Sequence, residues 1–305
     1  MLRTYLWVTN YCNMKCSYCY EMDNKNTMYM SQDILDSVIF FIVNHMRKYK
    51  QTELNVNFHG GEPLMNMDAI RYFISSIDEY DVPGDKRTYA MTTNVTLIND
   101  TNLNYLLKNI DILTLSIDGN RETHDKYRVD QKGNPTFDII IDTVKKCCEM
   151  KENLRLRMTV MPDTAVSLYD NVIYLLNLGA SFVAPAIDYF NKGWTEELLD
   201  VLEDQLKQIA VYRKTHYPMA TVAMVMDRRD QLTKKGPCNG GKGILSIFTD
   251  GRIYPCLQAT PYREFLLGNV KKGIDTNKLT ELMNYNNISN YNCVGCDYLL
   301  SCPYT

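Results

Sequence analysis

The chain lacks several features that would each fix a class of partner at once. It has no long run of Lys and Arg, and its formal net charge at pH 7 is only -3. It therefore has no electrostatic footprint for nucleic acid or an anionic membrane surface. Its longest apolar patches, such as SVIFFIV at 37–43, fall far short of the roughly 20 residues that span a bilayer. The N-terminus has no basic region followed by an apolar one, so there is no export signal. Internal repeats and low-complexity tracts are also missing. These absences exclude membrane-spanning, nucleic-acid-binding and repeat architectures, and they lead to the expectation of a cytoplasmic protein with a small-molecule or peptide partner. What is present suits a globular fold. With 305 residues and 45% apolar content the chain can bury a full core, at a length compatible with one large domain plus a smaller appendage.

Ten cysteines without an export signal argue against a disulfide scaffold. Eight of them sit in clustered spacings, which in a reducing compartment point to metal binding. Cys147 and Cys148 fall inside a helical run and are expected to be core thiols. Cys12, Cys16 and Cys19 lie on one short stretch, WVTNYCNMKCSYCYEM (7–22), as CxxxCxxC with no fourth cysteine nearby.

Hydrophobic periodicity predicts strands at about 4–9, 53–58, 87–92, 112–117, 154–161 and 181–187, alternating with helices near 31–49, 67–80, 100–108, 137–151, 166–178 and 195–216. Consecutive strand–helix pairs imply a parallel sheet, either open and doubly wound or a fragment of a barrel. After about 218 the pattern changes to a hairpin signal, ILSIFTDGRIYPC, with Asp250 and Gly251 at the turn, then a short helix near 276–286 and a cysteine-rich end. The polar stretch MDRRDQLTKKGPC places a boundary near 218–235. The fold expected is a partial (β/α)6 barrel of the eight-fold type over 1–220, with a small cysteine-rich α+β auxiliary domain over 221–305.

In either sheet architecture, ligands gather at the carboxyl ends of the strands. The cysteine loop follows the first predicted strand, HGGEP (59–63) follows the second, TTN (92–94) ends the third and SIDG (116–119) ends the fourth. In NLRLRMTV, Leu154, Leu156, Met158 and Val160 share one face, while Arg155, Arg157 and Thr159 share the other. If the apolar face packs on helices, the arginines point into the barrel. Three thiolates on one loop suit an iron–sulfur cube, because each takes one iron and the fourth iron stays open. A zinc knuckle with a ligand from elsewhere is the alternative.

CxxxCxxC with the aromatic Tyr18 before its last cysteine resembles the signature of the radical S-adenosylmethionine (radical SAM) enzymes. The resemblance implies that Cys12, Cys16 and Cys19 bind a 4Fe–4S cluster whose open iron is chelated by the methionine part of SAM. It gives the other rim motifs tasks as well. Gly60 and Gly61 would let the backbone approach the methionine ammonium, Glu62 would add an acceptor, and Ser116 and Arg128 would meet the SAM carboxylate. Asn94 and His59 are weaker candidates for SAM contacts. Taken alone, GGEP and SIDG read as turns, Arg128 as a solvated surface charge and His59 as a structural histidine.

Cys238, Gly251 and Cys256, followed by CVGCDYLLSC with Cys293, Cys296 and Cys302, resemble the SPASM extension of one radical SAM subgroup. A zinc ribbon is the alternative. The resemblance implies one or two auxiliary 4Fe–4S clusters, the first held by Cys238 and Cys256 and the second by Cys293, Cys296 and Cys302. The pattern also implies a cysteine four positions beyond Cys302, one residue past Thr305. Either the sequence is a piece of a longer one or the auxiliary sites are incompletely ligated, in which case an open iron could take a substrate thiolate.

The chemistry so implied is reductive cleavage of SAM to a 5′-deoxyadenosyl radical, which abstracts hydrogen from an unactivated C–H bond. No acid or base need be nominated for that step, and the catalytic side chains remain unassigned. Auxiliary clusters as an electron outlet favour net oxidation. The expected function is therefore a crosslink (thioether or carbon–carbon) or a related oxidation in a ribosomally made peptide, with flavodoxin or ferredoxin as electron donor. Cys12 comes so early that a leader-binding domain is expected on a separate protein. Sulfatase-maturing enzymes resemble the chain, but that group has an acidic residue where this sequence has Leu257. The alternatives are the same chemistry on a folded protein or small metabolite, or a non-catalytic zinc- or cluster-binding module.

Overall fold

A computed structural model of the chain describes residues 1–19, 28–151, 153–225 and 239–285. Along β1 (Leu2–Thr9), β2 (Glu53–Gly60), β3 (Lys86–Thr93), β4 (Ile112–Ser116), β5 (Arg155–Val160) and β6 (Phe182–Ile187), neighbours in sequence are neighbours in the sheet, all parallel. Helices α1 (Gln32–Lys48), α2 (Met67–Ser76), α3 (Asp100–Asn109), α5 (Phe137–Met150), α6 (Leu168–Asn177) and α7 (Glu196–His216) match the predicted set within a few residues. A short helix that periodicity did not show, α4 (Arg121–Tyr127), follows β4. Polar caps start several of them: Ser31 accepts from the Ile34 amide at the head of α1, and Asn99 and Asn102 make a reciprocal capping box at α3.

The helices cover one face of the curved sheet, and the apolar core lies between them. Leu54, Val56 and Phe58 of β2, Leu156, Met158 and Val160 of β5 and Leu154 just before it are buried in it, together with Ile39 and Ile42 of α1 and Phe73 of α2. The alternate residues of each strand face the other way. Tyr5, Asn55, Asn57, Thr92, Thr114 and Arg155 therefore line a polar cavity on the inner face, as the alternation in β5 predicted.

The sheet is wider than six strands. β7 (Thr221–Val222) adds parallel to β6 at one edge, and β8 (Ile244–Ile247) adds parallel to β1 at the other. β9 (Arg252–Tyr254), β10 (Gly268–Asn269) and β11 (Gly273–Ile274) then continue it antiparallel, and α8 (Thr276–Tyr285) closes the described chain. The predicted hairpin is β8–β9, turning at Asp250 and Gly251. It is built into the barrel sheet through β1, and Trp7 of β1 stacks on Phe248 at a centroid distance of 4.5 Å while its indole donates to Ser246. The predicted boundary lies largely in 226–238, outside the described residues. No helix among the described residues is long and apolar enough to cross a membrane.

Candidate active site

The turns after β1, β2, β3 and β4 meet at the carboxyl-terminal end of the sheet. Thr9, the last residue of β1, accepts through its hydroxyl from the Tyr11 amide at the start of the cysteine loop and donates to Met28 O. The loop is then stitched to the segment following α4. Lys15 and Ser17 donate their amides to the carbonyls of Val129 and Tyr127. The Gln131 side chain donates to the carbonyls of Cys12 and Met14, each at 2.9 Å.

Gly60 and Gly61 lie directly against this loop. Gly60 has φ +146°, and a Cβ there would sit 2.0 Å from Thr9 O; one on Gly61 would sit 2.5 Å from Tyr11 O and 2.9 Å from Cys12 N. Only glycine fits this close approach of two backbones. The amides of Gly61 and Glu62 donate to Thr9 O and Tyr11 O, joining the two turns.

Glu62 is 1% exposed. Its carboxylate accepts from Thr93 Oγ1 at 2.8 Å, the Leu64 amide at 3.1 Å and the Asn94 amide at 2.7 Å. Asn94 in turn donates to Asn13 Oδ1 at 2.9 Å and approaches Cys12 Sγ at 3.8 Å. Val95, the next residue, is buried with φ +74°. A β-branched residue there carries strain of about 1–3 kcal/mol, a cost concentrated where backbone shape serves a site. Burial outweighs these hydrogen bonds and lifts the Glu62 carboxyl to about 7.

This shift gives a pH prediction. Between the ordinary value of 4.5 and about 7, folded Glu62 holds a proton that the unfolded chain has released. Its contribution to stability is full below that window and is lost as pH rises through it. Glu62→Gln does not titrate, so the stability advantage of wild type over this variant should shrink by on the order of 2–3 kcal/mol between pH 4 and pH 8. Urea midpoints of both proteins at the two pH values measure it, and the buried histidines cancel in the comparison. A constant difference would contradict the assignment.

Arg128 and Asp118 form a buried ion pair, Nε to Oδ2 at 3.0 Å, with side-chain exposures of 8% and 1%. The distance allows the charge interaction, yet the Nε–H has no well-directed hydrogen-bond partner. Burial alone would lower the Arg128 pKa, but the Asp118 carboxylate more than offsets this and the net shift is upward. Tyr18 donates its hydroxyl to the same carboxylate at 2.6 Å and lies under the Arg128 guanidinium, 5.4 Å from the ring centroid. Asp118 Oδ1 also accepts from the Thr159 amide at 2.9 Å. Asp118 is thus the hub of this side of the rim. Sequence reasoning passed over it as part of a tight turn, because only the fold reveals that it is buried opposite Arg128.

Ser116 is buried at the end of β4. His59 points to the inner face, packs tilted against Trp7 with ring centroids 4.7 Å apart and accepts from the Gly60 amide at 2.7 Å. Burial, helped by the nearby Arg157, pushes its pKa down to about 4, so it is neutral at physiological pH. Of the second cysteine set, Cys256 follows β9 as a free, partly exposed thiol. Cys238, Cys293, Cys296 and Cys302 lie outside the described residues. Cys147 is buried in the core and Cys148 packs against it.

Burial pushes the Cys12 thiol up to about 12 and the Cys16 thiol upward too, and each feels the charge of Cys19. Thiols so dehydrated become thiolates only when a strongly cationic centre takes them. Among the described residues no three His, Cys, Asp or Glu side chains converge on a single ion position. Three thiols on one loop suit a polynuclear cluster, which takes one thiolate per iron.

The radical SAM superfamily model matches residues 7–168, more than half of the chain. The chain belongs to the radical SAM superfamily, whose cofactors are SAM and a 4Fe–4S cluster. A cysteine-type anaerobic sulfatase-maturating enzyme of Clostridium novyi (strain NT) is 30% identical over 143 residues, 44% of this chain and 37% of that enzyme. The radical SAM cyclopropyl synthase TigE of Paramaledivibacter caminithermalis is 23% identical over 327 residues, 97% of this chain and 66% of TigE. The structure of anSMEcpe with bound AdoMet superposes with a TM-score of 0.83 at 20% identity, over 99% of this chain and 88% of that one. The same enzyme with AdoMet and the Kp18Cys peptide gives 0.80, again at 20% identity and over the same shares of the two chains. These likenesses to solved structures show a common fold. The chain's matches span less than half of the sulfatase-maturating enzymes.

Proposed function

We propose that the chain is a peptide maturase that installs a crosslink, thioether or carbon–carbon, or a related oxidation in a ribosomally made peptide. The observation that carries this reading is the cysteine loop, fixed on the rim of an open, polar barrel by Gly60, Gly61, Asn94 and the 127–131 segment. When bound, the cluster and SAM supply hydrogen-atom abstraction from an unactivated C–H bond. Cys12, Cys16 and Cys19 would hold the cluster. Gly60 and Gly61 keep the loop against β2, Glu62 braces the end of β3, and Arg128 brings a desolvated positive charge to the rim where Ser116 ends β4. The helices cover the outer face of the sheet, and the Trp7–Phe248 stack packs the inner face beside the first strand. TigE is a cyclopropyl synthase of this superfamily, and anSMEcpe has been seen with a peptide beside AdoMet, which favours a peptide over a small metabolite.

In the same reading, residues 221–305 form a SPASM-like auxiliary unit. Cys238 and Cys256 serve one 4Fe–4S cluster there, and Cys293, Cys296 and Cys302 serve another. The electron donor is a flavodoxin or ferredoxin, and a separate protein presents the leader of the peptide. Anaerobically reconstituted protein given SAM and dithionite should release 5′-deoxyadenosine and contain about eight to twelve irons per chain. Absence of 5′-deoxyadenosine would sink the enzymatic reading, whereas about four irons would remove only the auxiliary clusters.

A further inference from the structure

We infer that the barrel lumen below the cysteine loop is a carboxylate-binding site for the part of the substrate that reaches furthest inward. Arg3, Asn55, Asn57 and Arg155 are its reading residues. The inference rests on the peptide-maturase reading and adds to it a substrate class, an acidic or carboxyl-terminal peptide segment.

The cavity has a volume of about 280 Å³ and is lined by Arg3, Tyr5, Asn55, Asn57, Ala90, Met91, Thr92, Ile112, Thr114 and Arg155. Its charge is one-sided: two guanidinium groups and no acidic side chain. Arg157, one inward position further along β5, acts electrostatically on His59 and extends the positive lining toward the rim. His59 itself adds no charge above a pH of about 4. The nearest acidic group on the inner face of β2 is Glu53, at the strand's start, and it is paired with Lys86 at 3.2 Å. Arg3, which is exposed, and Arg155, which is half-buried, have no acidic partner among the described residues. Arg155 instead lies over the Phe182 ring, its Cζ 4.7 Å from the centroid, in a cation–π contact.

The neutral lining is also of a recognising kind. Asn57 Oδ1 is buried with no hydrogen-bond partner, and Tyr5, Asn55, Thr92 and Thr114 bring further donors to the same space. The unpartnered Oδ1 is an acceptor, which a donor or a water would meet; the carboxylate itself is read by the guanidinium groups and the donors beside them. Like charges gathered on a concave wall focus the field on an entering anion. A volume near the lower end of the roughly 300–1,000 Å³ typical of ligand pockets admits one side chain or a chain end. The cavity is distinct from the cysteine loop. Arg3 precedes Thr9 by six residues of strand, on the order of 20 Å, so a group held at the loop does not fill the floor, and a substrate segment must extend that far to meet the arginines.

The experiment uses reconstituted holoenzyme with SAM bound, titrated with four small probes by saturation-transfer NMR. N-acetyl-glutamate methylamide is compared with N-acetyl-glutamine methylamide, and N-acetyl-glycylglycine with its amide. At least one carboxylate probe should bind about tenfold or more tighter than its neutral twin, weakening as salt rises. Which pair shows the preference tells a side-chain carboxylate from a chain terminus. Arg155→Gln and, independently, Arg3→Gln should each erase most of the preference, while Arg155→Lys keeps part of it. Equal binding within both pairs overturns the proposal, as does a preference that survives both glutamine variants or inorganic phosphate that binds as tightly as the carboxylates. Release of 5′-deoxyadenosine by the same wild-type preparation reports separately on the enzymatic reading, so either conclusion can fail without the other.

Discussion

Asp118→Asn should destabilise the protein by about 3–5 kcal/mol, because it leaves the Arg128 guanidinium buried without its counter-charge. The size follows from the exposures, 8% for the arginine side chain and 1% for the aspartate. An exposed pair such as Lys207 with Glu203 would give under about 1 kcal/mol. The substitution also weakens two further contacts of the carboxylate, from the Tyr18 hydroxyl and the Thr159 amide. Since Tyr18 immediately precedes Cys19, the loop should lose order along with stability, and the variant should retain less iron after anaerobic desalting. Urea denaturation gives the free-energy change directly. Adding Arg128→Met should recover much of the loss in the fold while leaving SAM affinity low, because the unpaired charge is gone but the role proposed for Arg128 at the rim is not restored. An Asp118→Asn protein within about 1 kcal/mol of wild type would show that the pair is hydrated and not buried.

The parts of the fold that could be read from the sequence are those with long, regular periods. β1 to β6 and their helices each carry a clear apolar alternation or a 3.6-residue stripe. The inward arginines of β5 follow from the same alternation, since Leu156 and Met158 can only face the helices. β7 and β8 were missed as barrel strands because two- and four-residue segments have no measurable period. The pairing of β8 with β1 joins residues more than two hundred positions apart, where no local signal exists. α4 was missed because RETHDKY is polar and short, and its helical start depends on Asn120 accepting from the Thr123 amide. The rim motifs could be placed because each sits at a strand's end. What they touch could not, since a glutamate in a GGEP turn looks equally able to face a ligand or to bind Thr93 and Asn94.

Gly61→Ala should abolish most retention of the N-terminal cluster at a far smaller cost to the fold. The added methyl group would lie 2.5 Å from the Tyr11 carbonyl and 2.9 Å from the Cys12 amide. Both are backbone atoms, so no side chain can swing aside, and the loop must move by about an ångström. Overpacking of this kind costs roughly 1–3 kcal/mol in stability. The amides of Gly61 and Glu62 that bond Thr9 O and Tyr11 O would be displaced together with Cys12. On the proposed ligation, three thiolates must meet three irons at fixed spacing, so displacing one of them converts a modest strain into loss of the site. Iron should fall by about four per chain relative to wild type, with SAM binding lost in parallel. Gly273→Ala is the matched control: its φ is +83° but a Cβ there meets nothing within 4 Å. It should therefore cost about 1 kcal/mol of backbone strain and leave iron content unchanged. If Gly61→Ala also keeps its full iron, the close approach of β2 to the cysteine loop is not what holds the thiols in place.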